Sequence, residues 1–234
     1  HRWQQHIVSM VGQEGSLLPP SPGGVAEFPS DGMFQRFRRD RGVHRATVRI
    51  EFFREGQVKP SIFWHRSHGL EQSLRLWAPP DDPVKLVELR LTNRLDRPRR
   101  VTVTYYVEWV LGATRDRSQG FMVPEFDPAS EALLARNPWN EDFADRVAFV
   151  AASKKLHGLT ADRTEFLGRP GSYAAPAAMS RIGLASAVQP GLDPCAVLQL
   201  HVDLPAGASE RVHFVLGQAA GRDEALGLVR KYRD

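Results

Sequence analysis

The sequence is poor in cysteine and in long apolar runs, and both shortages exclude classes of protein. Cys195 is the single cysteine, so the chain can form neither an internal disulfide nor a zinc site built from several cysteines. No stretch approaches the roughly 18 consecutive apolar residues that a membrane-spanning helix needs. A Gly-x-Ser-x-Gly elbow, a phosphate loop and a dinucleotide fingerprint are also lacking. Because these motifs are lacking, the sequence predicts neither serine-hydrolase nor nucleotide chemistry.

The material for a core is ample, since 42% of the 234 residues are hydrophobic. The excess of positive over negative charge is concentrated in residues 36–54, where arginines greatly outnumber acids. A run of this kind is able to follow a nucleic-acid phosphate backbone, but it also fits a solvated face. Because no nucleic-acid-binding fold is recognisable, we predict no nucleic-acid partner. The arginines are Arg36, Arg38, Arg39, Arg41, Arg45, Arg49 and Arg54.

Strand patterns follow a lead-in of weak periodicity. Residues 1–60 are predicted to be a separate lead-in, and the prolines and glycines of LLPPSPGG at 17–24 predict a linker within it. From Leu70 onward, apolar and polar residues alternate with the period of half-buried strands. We therefore predict a β-sandwich domain over residues 61–220. One face of the VTVTYYVEWVLG strand carries Val101, Val103, Tyr105, Val107 and Trp109.

Further strands are predicted at 146–152, 196–204 and 210–217, with polar turns rather than helices between most of them. Residues 221–234 differ, because acidic residues there precede an apolar stripe, as in an amphipathic helix. We expect the chain to leave the sandwich at this helix and to join another domain. The stripe consists of Ala225, Leu228, Val229 and Tyr232.

A series of longer segments points to a known family. They are HRSHGLE (65–71), PPDDPVKL (79–86), RRVTVTYYVEWVLG (99–112), LLARNPWNEDFADRVAF (133–149), DRTEFLGRPG (162–171), GLDPCAVLQ (191–199) and FVLGQA (214–219). Together they resemble the cyclic β-1,2-glucan synthases, in the part akin to the cellobiose and chitobiose phosphorylases of glycoside hydrolase family 94. The resemblance implies an all-β, antiparallel supersandwich of the galactose-mutarotase-like kind. It also implies that a linker helix and an (α/α)6 barrel follow the sandwich, and that this sequence contains only the start of the helix.

The resemblance also implies that the barrel carries the catalytic residues and uses inorganic phosphate, without a metal or an organic cofactor. We therefore expect no catalytic residue and no metal ligand in this chain. The expected partners are a β-glucan or gluco-oligosaccharide, the barrel, and a second copy in a homodimer. The expected location is cytoplasmic, either alone or as part of a larger inner-membrane-bound protein. Two rival functions stay open: a mutarotase-like or hydrolytic sugar enzyme, and a basic nucleic-acid-binding module.

Two segments hold the candidate carbohydrate-binding residues. In ARNPWNEDF, an aromatic ring stands among hydrogen-bonding groups, which suits a saccharide groove. The alternative is that Pro138 shapes a turn and the tryptophan packs as a lid on the core. In DRTEFLGRPG, arginines suit sugar hydroxyls or phosphate, and the alternative is an exposed loop with a local Arg and Glu pair. The candidates are Arg136, Asn137, Trp139, Asn140, Arg163, Glu165 and Arg169.

Other reactive side chains are interpreted as structural. Acidic residues in sandwich loops are commonly solvated, so a catalytic carboxylate pair is not predicted. His65 and His68 would point to opposite faces of a strand, which argues against a metal site. Cys195 precedes an apolar run and is predicted to be a small buried residue rather than a nucleophile. The carboxylates considered are Glu108, Glu125, Asp127, Glu141 and Asp142.

Overall fold

The structure is a computed structural model that describes most of the chain from residue 61 onward and four short strands before it. The described residues are 4–11, 26–29, 33–37, 47–50, 61–112, 114–140, 143–169, 173 and 176–233. The predicted linker at 17–24 and most of the arginine-rich run lie outside these residues.

Strands dominate the described residues. In chain order they are β1 (Gln4–Val11), β2 (Ala26–Pro29), β3 (Met33–Phe37), β4 (Thr47–Ile50), β5 (Ser61–Ser67), β6 (Leu70–Trp77), β7 (Val84–Asn93), β8 (Arg99–Glu108), β9 (Val123–Asp127), β10 (Ala132–Arg136), β11 (Val147–Ala152), β12 (Gly158–Asp162), β13 (Pro194–Leu204) and β14 (Ser209–Ala219). The helices are α1 (Arg115–Ser118), α2 (Arg163–Leu167) and α3 (Arg222–Arg233), with 3-10 turns at Gln119–Phe121 and Ala177–Ser180.

The strands form two large sheets and one small one. The five-stranded sheet has the order β12, β13, β8, β1, β3, and the seven-stranded sheet has the order β5, β6, β7, β14, β11, β10, β9. Strands β2 and β4 form the third sheet. Neighbouring strands pair antiparallel except β1 and β8, which run parallel. The predicted all-β antiparallel supersandwich is therefore confirmed.

The main core lies between the two large sheets. Side chains from β6, β7 and β14 of one sheet meet those of β8 and β13 of the other. The stacked rings of Tyr105 and Phe214 cross this core, with centroids 4.6 Å apart. The alternation predicted along residues 101–109 is confirmed, because all five side chains of that face are buried in this cluster. They are Val101, Val103, Tyr105, Val107 and Trp109.

The outer face of the five-stranded sheet is buried as well, which the alternating pattern did not predict. Thr102 and Thr104 are only 2% and 0% exposed. Elsewhere on this face, α2 and the 3-10 turn at Ala177–Ser180 contribute to a second apolar cluster. Cys195 is buried in the same cluster, as predicted, and this burial raises the pKa of its thiol well above the usual value.

Helix α3 packs against the outer face of the seven-stranded sheet. Its apolar stripe joins side chains of β7, β10, β11 and β14 in a third cluster. The predicted amphipathic helix is present over residues 222–233, and its stripe is buried against the sandwich. Polar contacts at the end of the helix add to this packing: Tyr232 donates to Asp82 at 2.5 Å, and Arg233 pairs with Glu131 at 2.8 Å. Among the described residues, no helix is long and apolar enough to cross a membrane.

Candidate functional site

The first predicted segment is a turn fixed by Asn137, between β10 and β11. The Asn137 side chain is buried; its Nδ2 donates to the carbonyl of Leu111 at 2.7 Å, and its Oδ1 accepts from the backbone N–H of Trp139 at 3.1 Å. The backbone N–H of Asn140 donates to the Asn137 carbonyl at 3.2 Å. Asn137 thus ties the turn to the connection that follows β8 and leaves its own amide little freedom to contact a ligand.

Trp139 projects from this turn into solvent. Its side chain is 71% exposed, so the alternative of a lid on the core is wrong. The indole stacks on Phe121, with centroids 4.9 Å apart and ring planes 10° from parallel. We call these two rings the aromatic ledge. Phe143, further along the same turn, is 57% exposed. Stacked, exposed rings of this kind offer an apolar face to a ligand.

A cleft of about 540 Å³ opens beside the same turn. Its lining includes buried apolar side chains of β10 and β11 and the start of α3. Apart from Arg136, this cleft is not predictable from the sequence, because its walls come from parts of the chain that are far apart. The lining residues are Val123, Glu125, Leu134, Ala135, Arg136, Ala144, Asp145, Val147, Ala220, Gly221 and Arg222.

Two carboxylates hold one wall of the cleft in place. Arg222 donates to Glu125 at 2.8 Å and to Asp127 at 2.9 Å. Asp127 also accepts from the backbone and hydroxyl of Ser130, and these bonds, together with Arg222, hold the pKa of its carboxyl below the usual value. The Arg222 guanidinium therefore has a fixed position at the beginning of α3.

The second predicted segment begins at Arg163, which lies in a network of charges. Arg163 donates to Glu108 at 2.9 Å and to Asp193 at 3.4 Å. Arg115 lies 3.6 Å from the other Glu108 oxygen and also pairs with Asp193. We call these four residues the arginine–carboxylate cluster. Their mutual pairing means that Arg163 is already bound within the protein.

Two tyrosines complete the surroundings of Glu108. Tyr106 donates to Glu108 at 2.5 Å, and Tyr173 donates to the same oxygen. Burial raises the pKa of Glu108, but the hydrogen bonds from both tyrosines and Arg163 outweigh it and hold the pKa below the usual value. Glu108 is therefore a charged structural acceptor at neutral pH.

The other two candidates of this segment are not part of the arginine–carboxylate cluster. Glu165 accepts the backbone N–H of Ala185 at 2.6 Å and lies 3.9 Å from Arg181. Arg169 is exposed. The structure thus places Arg163 and Glu165 in separate contacts rather than in one local pair.

The connection between β8 and β9 links the two predicted segments. It starts at Trp109, carries Arg115 of the arginine–carboxylate cluster, and brings Phe121 to the aromatic ledge. Asn137 bonds to its backbone at Leu111. Both segments are therefore held by one stretch of chain.

Metal ligands do not converge within the described part of the chain. No group of three or more His, Cys, Asp or Glu side chains there has an arrangement suited to a metal ion. His68 lies in the turn between β5 and β6 with φ of 49°, rather than in a strand as the spacing argument assumed. Glu141 and Asp142 lie outside the described residues.

The chain is similar to several known proteins. The family described as glycosyl hydrolase 94, supersandwich domain, matches residues 54–234. The cyclic beta-(1,2)-glucan synthase NdvB of Rhizobium meliloti (strain 1021) is 38% identical over 231 residues, covering 93% of this chain and 8% of that protein. Solabiose phosphorylase of Paenibacillus borealis is 26% identical over 168 residues, covering 70% of this chain and 22% of that protein. A solved polysaccharide lyase is 11% identical with a TM-score of 0.46, covering 82% of this chain and 26% of the other.

Proposed function

This chain belongs to the glycosyl hydrolase 94 supersandwich-domain family, and from that membership we propose that it is a carbohydrate-binding and structural module of a larger enzyme that makes or cleaves β-glucosidic bonds. The module itself performs no bond chemistry. A catalytic domain in the same protein, for which the resemblance implies an (α/α)6 barrel that uses inorganic phosphate, supplies the reaction. The module holds glucan near that domain and contributes to a homodimer.

The observation that carries this proposal is the difference in length between this chain and its relatives. The chain spans 8% of the glucan synthase and 22% of the phosphorylase that it matches. Both relatives act on carbohydrates, as their names state. A matching segment in two relatives of such different total length fits a module that supports catalysis performed elsewhere.

The described carboxylates also support a role without catalysis. Glu108 is fully engaged by tyrosines and arginines, while Glu125 and Asp127 both bind Arg222. A glycosidase needs one carboxylic acid with a raised pKa and a second carboxylate across the scissile bond. The pKa values of Glu108 and Asp127 are instead lowered.

We propose that the turn between β10 and β11 contacts the sugar. Trp139 offers an apolar ring face, Asn140 offers a hydrogen-bond donor on the same turn, and Arg136 offers donors at the end of β10. Asn137 acts by shaping the turn. In the second segment, Arg169 is exposed and suits a sugar or phosphate, while Arg163 and Glu165 hold the loop that presents it.

Two kinds of measurement on the chain test this function: glucan binding, and turnover of sugar substrates. We expect calorimetric titration to detect β-linked gluco-oligosaccharides, and we expect no hydrolysis of β-glucosides and no interconversion of aldose anomers. Reproducible turnover that a single carboxylate substitution abolishes would contradict the proposal. Steep salt-dependent binding to nucleic acid in place of glucan would contradict it as well.

A further inference from the structure

The lining of the cleft is balanced in charge. It holds two carboxylates, Glu125 and Asp145, and two arginines, Arg136 and Arg222, so its formal charge is zero. An anion such as phosphate would meet both carboxylates as well as the arginines, and the carboxylates oppose its binding. A neutral polyhydroxyl ligand can use every one of these groups, because hydroxyls donate to carboxylates and accept from guanidinium groups.

The four charged groups differ in how firmly they are held. Arg222 and Glu125 bind each other at 2.8 Å. Within the described residues, Arg136 and Asp145 form no ion pair and no side-chain hydrogen bond, and both are exposed. One fixed pair and two available groups surround buried apolar side chains of β10 and β11. Small-molecule sites have this composition, and their volumes are commonly about 300–1,000 Å³.

The cleft and the aromatic ledge are neighbours along the chain. Arg136 and Val123, which both line the cleft, pair with each other where β10 ends and β9 begins, and Trp139 and Phe121 of the ledge lie three and two residues beyond them. A chain of sugars has apolar ring faces and polar edges, so a stacking surface next to a polar cleft fits consecutive units of one chain.

We infer that the cleft binds one glucosyl unit of a neutral β-glucan chain, with the aromatic ledge stacked against an adjoining unit. This inference rests on the proposed function and adds to it the cleft as the place where one sugar unit is held. Asp145 accepts hydrogen bonds from sugar hydroxyls, Arg136 donates to them, and the Arg222–Glu125 pair forms a fixed wall.

The test is calorimetric titration of the purified 234-residue chain with gluco-oligosaccharides of β-1,2, β-1,3 and β-1,4 linkage. The cleft variants are Arg136→Met, which keeps the aliphatic stem, and Asp145→Asn, which keeps the shape. The matched controls are Arg146→Met and Asp116→Asn, which are exposed and do not line the cleft. Thermal unfolding of every variant confirms that these surface substitutions leave the fold intact. Each cleft variant should weaken binding roughly tenfold, while the controls bind like wild type.

The outcomes separate this inference from the proposed function. If wild type binds a glucan and both cleft variants bind it equally well, the cleft assignment is overturned while the function stands. If wild type binds none of the three linkages, the proposed binding function fails and the inference fails with it. Inorganic phosphate titrated alone is the final arm. Phosphate binding that Arg136→Met abolishes would overturn the choice of a neutral ligand.

Discussion

Replacing Glu108 with glutamine tests the arginine–carboxylate cluster directly. The Glu108 side chain is only 14% exposed, and one of its oxygens accepts hydrogen bonds from Tyr106, Tyr173 and Arg163. Glutamine keeps the shape but removes the charge. A hydrogen bond to a charged group contributes about 1.5–3 kcal/mol, so weakening this set should lower the free energy of unfolding by about 2 kcal/mol at neutral pH.

The lowered pKa of Glu108 gives the same substitution a signature in pH. Burial raises this pKa, but the hydrogen bonds from the tyrosines and Arg163 depress it overall. A depressed pKa in the folded state means that the stabilisation is present above the unfolded pKa of about 4.3 and is lost as pH falls through the folded value. The stability difference between wild type and Glu108→Gln should therefore shrink as the pH drops below about 4.

Urea unfolding followed by circular dichroism, at neutral pH and at about pH 3, measures both effects. The matched control is Glu71→Gln, which breaks a surface pair with Arg94 of similar geometry, at 2.8 Å. Arg94 is 52% exposed, so solvent screens that pair and its loss should cost far less. The reasoning is refuted if Glu108→Gln loses no more stability than Glu71→Gln, or if its deficit is the same at both pH values.

Three further substitutions follow from the described contacts. Tyr105→Phe should raise the free energy of unfolding by about 1 kcal/mol, because its buried hydroxyl has no hydrogen-bond partner among the described residues; a loss in urea unfolding would contradict this. Gly217→Ala should lower it by about 1–3 kcal/mol, since the added Cβ would lie 2.6 Å from the Phe149 ring, whereas Gly120→Ala, with open space around it, should be neutral. Trp139→Ala should weaken glucan binding about tenfold in calorimetry without changing the unfolding midpoint, and an unchanged affinity would contradict this.

The sandwich was predictable because each strand can be recognised from the alternation of its own residues. Alternation along 101–109 depends only on neighbouring residues, and the structure buries the whole predicted face. The same pattern could not reveal that Thr102 and Thr104 are buried on the opposite face. Period-2 alternation predicts on which side of a sheet a residue lies, but the burial of that side depends on other parts of the chain, which for Tyr106 on this face include α2.

The candidate site was predictable only in part, for a related reason. The residue types in the turn between β10 and β11 indicated sugar contact, but not that the Asn137 side chain would turn inward and that Trp139 would be exposed. The cleft needs Glu125 and Arg222, which are 97 residues apart and meet only because α3 packs on the sheet. Sequence periodicity carries no information on contacts between residues so far apart in the chain.

The same contacts explain why a sugar-binding surface would sit on this part of the sandwich. Binding costs less when the protein groups are already ordered before the ligand arrives. The connection from β8 to β9 is held by Arg115 in the arginine–carboxylate cluster, and the turn bearing Trp139 is tied to that connection through Asn137. Phe121 then stacks on Trp139 from the same connection. The exposed tryptophan therefore lies in a turn that partly buried charges and the Asn137 amide hold in place, an arrangement that would suit the proposed stacking of a flexible glucan.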